Sequence, residues 1–339
     1  MDITVIISTY NRSRDLAKAL ENVAASRLPE STSWEVLVAD NNSNDDTREV
    51  VKSFSERYPG RFRYIFEPRP GKSYALNTAI RESHGEILAF MDDDVAVGGE
   101  WLYHLTSTLQ HKQWAGAGGR TLPAHEFSLP RWLALDGPCA LGGIFCAHFD
   151  LGDKPLELDR PPYGANMAYR KAMFEKYGEF RTDLGPSPNK DIPRPNEDTE
   201  FGRRVVAAGE RLRYEPGAVA YHPVPADRLK QEYFLSWWFD YGRALIREVG
   251  ERPTVYGIPR HYFSVPRLIF TILPRRVFRW LFTTAPQRRF FNKCWVWLTM
   301  GQIVEIPRVA RKIKKNKAKL RLKLSPENEK AAFEGYNGE

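Results

Sequence analysis

Three consecutive carboxylates, Asp92, Asp93 and Asp94, close a run of five apolar residues, Ile87 to Met91. Like charges so close repel unless a cation or polar ligand offsets them. Hard divalent ions take carboxylate oxygens and usually share them with substrate phosphates, so one reading is metal-assisted chemistry on a phosphorylated molecule. A solvated acidic turn is the plainer reading. A second acidic stretch, Asn196-Glu197-Asp198-Thr199-Glu200, opens a helix with Phe201, Val205 and Val206 on its buried side. Asn196 or Asp198 suits its cap, since acids are favoured at the positive end of a helix. Asp198 also follows the Pro- and Gly-rich stretch Thr182 to Pro195, read as a long mobile loop, and that position suits a general base. His222 ends the apolar run Ala218 to Tyr221 and is either structural or a ligand. Lys72, after Pro70-Gly71, is either a solvated loop residue or a point charge for phosphate.

These groups need elements to position them. Ile87 to Met91, bounded by Gly85 and by Gly98-Gly99, predicts a strand buried on both faces with its carboxylates emerging at the end. Ile3 to Ser8, Glu35 to Ala39, Arg63 to Phe66 and Ala115 to Arg120 predict further strands. The spacing of Leu16, Leu20 and Val23 predicts a helix between the first two, capped by Asn11 or Ser13. Val50, Val51 and Phe54, then Leu76, Ala79 and Ile80, then Trp101, Leu102, Leu105 and Leu109 mark three more. Alternation of this kind predicts an α/β fold: a mainly parallel, Rossmann-like sheet with helices on both faces. Ligands of such sheets bind beyond the carboxyl ends of the strands. That gathers Thr9 to Arg12, Asp40, Glu67 to Lys72 and Asp92 to Asp94 around one crevice. Residues 120–162 carry no clear pattern. A short strand within 162–170 then leads into a helix over Lys171 to Tyr177, and Leu229 to Glu248 predicts a helix rich in Phe and Trp that helps wall the site.

Two phosphate-binding loops are excluded. A P-loop would need glycine where Phe66 stands, and no Gly-x-Gly-x-x-Gly follows the first strand. With 42% apolar residues and nine Trp in 339, the chain is globular for most of its length. No apolar run reaches the ~18 residues of a spanning helix, and the first residues do not form a secretory signal. The cysteines Cys139, Cys146 and Cys294 lack zinc or redox spacing and read as reduced residues of a cytosolic protein. Nine Lys or Arg and no acid lie between Arg308 and Lys323; against a net charge of +8, the rest of the chain is near neutral. That disfavours a nucleic-acid-binding core and favours local electrostatic attachment. Tyr262 to Trp297 interleaves Arg with aromatic residues, as suits a helix in a membrane interface, or else a helical subdomain or oligomer contact. The expected organisation is a catalytic domain over 1–225, a helical aromatic and basic region over 226–324, and a disordered end over 325–339.

Six stretches together resemble the family-2 glycosyltransferases, inverting enzymes of GT-A fold that use nucleotide-sugar donors. They are Val5 to Arg12, Val38 to Thr47, Gly71 to Asn77, Phe90 to Asp94, Gly164 to Met167 and Asn196 to Asp198. The resemblance implies that Asp40 binds the uracil ring, with Thr9, Tyr10, Arg12, Lys72 and Asn77 at the donor. It also implies Asp92 toward the ribose, Asp94 on an Mn²⁺ or Mg²⁺ that bridges the diphosphate, and His222 as a further metal ligand. Asp93 stays undecided. Asp198 becomes the catalytic base with Glu197 in support, and Gly164 and Asn166 face the acceptor. The implied reaction is transfer from a UDP-sugar to a hydroxyl of a lipid-linked or cell-envelope glycan. It is expected at the cytoplasmic face of an anionic membrane touched by 262–323. Phe234 to Arg243 lacks the Gln-x-x-Arg-Trp of processive members, so a single addition is expected. Leu76 departs from a frequent Arg. A sugar nucleotidyltransferase would instead carry a Gly-rich basic loop after the first strand, and a non-catalytic scaffold would not need Asp94, Asp198 and His222 together.

Overall fold

The computed structural model describes residues 2–249, 261–262 and 265–323. In chain order the elements that position the site begin with β1 (Ile3–Thr9), α1 (Ser13–Ala24), β2 (Trp34–Asp40), α2 (Thr47–Arg57) and β3 (Phe62–Phe66). Next come α3 (Lys72–Glu82), β4 (Ile87–Asp92), β5 (Ala96–Val97), α4 (Trp101–Ser107), β6 (Gly116–Pro123) and α5 (Gly142–Phe145). Then follow β7 (Leu156–Glu157), β8 (Met167–Arg170), α6 (Lys171–Tyr177), α7 (Glu197–Ala207) and β9 (Leu212–His222). The chain closes with α8 (Gln231–Val249), α9 (Arg267–Phe282) and α10 (Pro286–Lys323).

One nine-stranded sheet runs β3-β2-β1-β4-β8-β6-β9-β5, with β7 beside β9. The four strands β3, β2, β1 and β4 are mutually parallel, as the alternation predicts. Beyond β4 the sheet is mixed: β8 inserts antiparallel between β4 and β6, so β6 is not the next strand beside β4. Strand residues alternate between two cores, as a period of two requires. Val5 and Ile7 pack with Leu16, Leu20 and Val23 of α1 and with Trp101 of α4. Ile6, Leu37 and Phe90 face the other way, onto Ala75 and Ile80 of α3 and Phe201 and Val205 of α7. Leu76 joins this second core, so the side chain that replaces the frequent Arg is spent on packing.

A third core joins α8 and α10 to the stretch that carried no sequence pattern. Phe234 and Trp238 of α8 and Phe290, Cys294 and Leu298 of α10 bury Leu133, Leu141, Phe145 and Cys146. The two helices approach closely at reciprocal glycines. A Cβ on Gly242 would lie 2.0 Å from the Leu298 carbonyl oxygen, and one on Gly301 2.0 Å from that of Phe239. This core crosses the expected boundary at residue 225. The basic stretch after Arg308 continues α10 to Lys323, and the expected disordered end, 325–339, lies outside the described residues.

The stretch expected to be a mobile loop, Thr182 to Pro195, is instead stapled. Ser73 Oγ donates to the Leu184 carbonyl at 2.8 Å, and the Lys72 N–H donates to that of Pro186 at 2.8 Å. Arg243 of α8 donates to the carbonyls of Lys190 and Asp191 at 3.2 and 2.6 Å, and Arg247 to that of Asp183 at 2.9 Å. Both arginines are held by Glu305 of α10, at 3.0 and 2.6 Å. The turn chemistry of the loop was legible, but the cations that hold it come from distant helices.

Candidate active site

The parallel register aligns the strand ends: Ser8 stands opposite Asp92, and Thr9 opposite Asp40. Because β8 runs antiparallel to β4, its beginning rather than its end lies at this edge, which brings Gly164 beside the acids. The long parallel pairing of β6 with β9 ends at Pro123 and His222 and delivers the histidine there. A cleft of about 920 Å³ opens at this edge, lined among others by Thr9, Tyr10, Arg12, Lys72, Asp92, Asp93, Asp94, Gly164, Glu197, Asp198 and His222.

The three aspartates have three environments. Asp93 is buried; its carboxylate accepts from Thr9 Oγ1 at 2.7 Å and from Arg12 Nη1 at 3.0 Å. Burial pushes Asp93 up to about 6, against the pull of Arg12 and Thr9. Asp92 accepts from Lys72 Nζ at 2.7 Å. Burial acts to raise its pKa, but Lys72 first, with His222 and Arg12 adding to it, holds the carboxyl below its ordinary value. Burial would likewise lower Lys72, yet Asp92 and Glu197, the latter 3.6 Å away, raise it, so it stays a cation.

Asp94 differs from both. Its Oδ2 accepts from Arg12 at 3.0 Å, but its Oδ1 is buried with no hydrogen-bond partner among the described residues. That oxygen faces His222 Nε2 at 3.9 Å. His222 Nδ1 lies 2.8 Å from the Pro223 carbonyl, which only accepts, so Nδ1 donates there and Nε2 is the ring atom turned toward Asp94. A buried carboxylate oxygen without a hydrogen-bond partner, beside an imidazole nitrogen, suits a cation shared between them. Asp92, Asp94 and His222 offer ligand atoms all within 4.8 Å of one another. A carboxylate, carboxylate, imidazole set fits a divalent ion.

Across the cleft, Asp198 Oδ2 accepts the Gly164 N–H at 2.6 Å and its Oδ1 the Thr199 N–H at 2.6 Å. Asn196, at φ 85°, starts α7 without a side-chain cap, so neither expected cap residue closes the helix conventionally. Glu197 is raised above its ordinary value by burial, then by Asp198, with Lys72 opposing. The first helix is capped from outside too: Asp45 accepts the Ser13 N–H at 2.8 Å, while Asn11 Oδ1 accepts the N–H of Asn44 at 2.7 Å. Neither Asn11 nor Ser13 caps it.

Three expected site residues are spent on scaffolding. Asp40 is buried, accepting from Tyr64 Oη at 2.8 Å and the Ser43 N–H at 2.9 Å; its neighbour Asn41 lines the cleft instead. Burial and that carboxylate raise Tyr64, so the phenol keeps its proton. Asn77 donates to the Phe180 carbonyl at 2.8 Å and accepts the Phe180 N–H at 3.0 Å. Asn166 donates to the carbonyls of Arg120 and Ala218 and accepts from Trp101 Nε1 at 2.8 Å. Both amides lie outside the cleft lining with their polar ends used.

Residues 4–178, more than half of the chain, match the family described as Glycosyl transferase family 2. The chain belongs to glycosyltransferase family 2. It is 28% identical over 253 residues to the succinoglycan biosynthesis protein ExoM of Rhizobium meliloti, covering 74% of this chain and 76% of that one. Among solved structures it is similar to the mannosyltransferase PcManGT from Pyrobaculum calidifontis in complex with GDP-Man and Mn²⁺. That likeness has TM-score 0.54 and 18% identity, and covers 98% of this chain and 79% of that chain. S. aureus TarS 1-349 in complex with UDP-GlcNAc is similar at TM-score 0.51 and 16% identity, over 88% and 90% of the two chains. These neighbours share the GT-A fold.

Part of this glycosyltransferase's cleft escaped the motifs. Tyr233, Trp237, Trp238 and Tyr241 of α8 wall one side, with Tyr163, Arg160 and Arg194 beside them. Leu141, Gly143 and Ile144 join them from the unpatterned stretch. Arg228 Nη2 stands 4.0 Å from Asp94 Oδ2. Aromatic enrichment of α8 was the only hint of this wall in the sequence.

Proposed function

We propose that the enzyme transfers one sugar from a nucleoside diphosphate sugar, a UDP-sugar first, to a hydroxyl acceptor with inversion at the anomeric carbon. The observation that carries this is the facing pair of Asp94 Oδ1 and His222 Nε2, with Asp92 beside them and Asp198 across the same cleft. Breaking the bond from the anomeric carbon to the diphosphate builds positive charge on the sugar and negative charge on the leaving group. A divalent ion, Mn²⁺ or Mg²⁺, held by Asp92, Asp94 and His222 would supply Lewis-acid stabilisation of the diphosphate. Lys72 keeps a fixed cation at the same edge, and Arg12 offsets Asp93 and Asp94. Asp198 takes the acceptor hydroxyl proton as that oxygen attacks the opposite face of the sugar, and the nucleoside diphosphate leaves. Glu197 supports the position of Lys72 and the acceptor. Tyr10 at the lip and Asn41 on the floor suit the base of the nucleotide. The aromatic wall of α8 suits the apolar faces of a glycan.

The exterior supports the acceptor class. Among the described residues no helix is long and apolar enough to cross a membrane. Yet α9 exposes Phe278, Leu281 and Phe282 at 61%, 52% and 69%, on the same helix as Arg275 and Arg279. Such a face suits a membrane interface, and with it a lipid-linked or envelope glycan acceptor at the cytoplasmic side. The test is nucleotide release from a panel of UDP- and GDP-sugars, with Mn²⁺ and with chelator. Release that persists unchanged in chelator would remove the metal from the mechanism. In Asp198→Asn, transfer is expected to fall by about 10²–10⁴ with donor binding kept, and wild-type turnover would place the base elsewhere.

A further inference from the structure

We infer that a second cavity, behind the wall of the catalytic cleft, binds the phosphate head group of an anionic membrane lipid. It measures about 750 Å³ and lies between α9, the start of α10 and residues 134–139. The chain stretch that walls it continues into Ala140, Leu141 and Ile144 of the catalytic cleft, so the two sites share one partition.

The lining carries three cations: Arg276, half-buried, and Arg279 and Arg288, exposed at its mouth, while the amides of Gln287 and Asn292 donate to Leu133 and Thr283. Arg276 is prepositioned over the Trp295 ring, 4.6 Å from its centroid, and donates to Thr299 Oγ1 at 2.5 Å. Arg279 and Arg288 have no carboxylate within ion-pair distance among the described residues. Asp136, the acid at the rim, is paired with His148 at 3.0 Å. The first turn of α10 carries Arg288 and Arg289 and no acid, so two cations stand at the positive end of a helix, where a bound anion would relieve them. A planar guanidinium fork suits phosphate oxygens. What selects a lipid over a free anion is the neighbourhood: Phe278, Leu281 and Phe282 are exposed on α9, the helix that supplies Arg276 and Arg279. A phosphate in the cavity would leave its acyl chains beside those side chains. The inference rests on the membrane reading of α9 and goes further, replacing diffuse attraction with a head-group site that orients the cleft toward the surface.

The test uses the full chain and dihexanoyl phosphatidylglycerol below its micelle concentration, so that no charged surface is present. Inorganic phosphate and dihexanoyl phosphatidylcholine are separate arms, and binding is read by tryptophan fluorescence and calorimetry. The phosphatidylglycerol monomer is expected to bind, and Arg279→Gln with Arg288→Gln to weaken it by about tenfold or more. Arg311→Gln with Lys315→Gln, which removes two charges from the same helix outside the cavity, is expected to leave it unchanged. Equal binding by wild type and the cavity double variant would overturn the site. Inorganic phosphate binding as tightly as the lipid would overturn the lipid assignment. Vesicle flotation separates the two readings. Vesicle binding lost in Phe278→Ser with Phe282→Ser, while the cavity variant binds monomer normally, keeps the membrane reading and sinks the head-group site. Monomer binding that needs Arg279 and Arg288, with wild type ignoring vesicles, keeps the head-group site and sinks the membrane reading.

Discussion

Asp94 Oδ1 is buried 3.9 Å from His222 Nε2 and has no hydrogen-bond partner among the described residues. Asp94→Asn is therefore expected to weaken Mn²⁺ binding by at least the ~10–100-fold that even outer-shell changes cause. Titration calorimetry of the donor-free enzyme measures this directly, and an unchanged affinity would move the cation elsewhere. Asp93 has a different role: tied to Thr9 and Arg12, it keeps the guanidinium beside Asp94. Glu67, outside the cleft lining, ties the loop before Lys72 to α3. It accepts from Arg69 at 2.7 Å and from Thr78 at 2.5 Å, and these bonds, Arg69 first, hold it at about 2. A depressed folded pKa contributes stability that is fully present above the unfolded value of about 4.3 and is lost as pH falls toward about 2. Because Arg69 is half exposed, Glu67→Gln is expected to cost about 1 kcal/mol at pH 7. Denaturant midpoints of the two proteins should converge as pH drops below about 4.3; a gap constant with pH would refute the ionic account.

At the scale of elements, the stretch from Thr182 to Pro195 behaves as an extension of α8 and α10. Glu305, 1% exposed, binds Arg243 and Arg247, and these hold the carbonyls of Asp183, Lys190 and Asp191. Between those anchors, the Pro186 carbonyl accepts the Lys72 N–H and so holds Gly71 and Lys72 in place. Gly71 has φ 137°, which a Cβ would strain, and it donates to Asn41 Oδ1 at 2.7 Å. Removing Glu305 leaves Arg243 buried with Asp240 as its remaining acid, at 3.0 Å. Glu305→Gln is thus expected to lose about 3 kcal/mol, the low end for breaking a buried ion pair. Its donor KM should rise more than its kcat falls. An unchanged denaturation midpoint would show that the network contributes no net stability.

At the scale of the whole molecule, the C-terminal helices are part of the enzyme's body. Removing α9 and α10 would uncover Phe234, Trp238 and Leu141, so truncation near residue 259 would unfold the aromatic wall as well as remove the exposed apolar face of α9. Point variants on α9 separate these effects. Phe278→Ser with Phe282→Ser is expected to leave the melting temperature in place and to weaken binding to phosphatidylglycerol vesicles by about tenfold or more, from the lost apolar burial. Raised salt should weaken what remains. Vesicle binding equal to wild type would remove α9 from the contact.

The sequence by itself determined the parallel half of the sheet, the two faces of its strands, and the meeting of Asp92, Asp94 and Lys72 at one edge. Periodicity is a local property: a residue's face follows from its neighbours two, three or four positions away. Asp198 and His222 were legible as candidates; the resemblance put His222 and Asp94 on one metal, but no local pattern of the sequence brought the two together. Only the tertiary structure decided that β8 enters antiparallel and that Asp40, Asn77 and Asn166 are spent on backbone and side-chain partners. The clamp from α8 and α10 was equally hidden. Ser73 and Leu184 are 111 residues apart, and Arg243 and Glu305 are 62 apart. Such pairings depend on which chain segment closes over which strand end, and nothing in the local pattern of either partner encodes it.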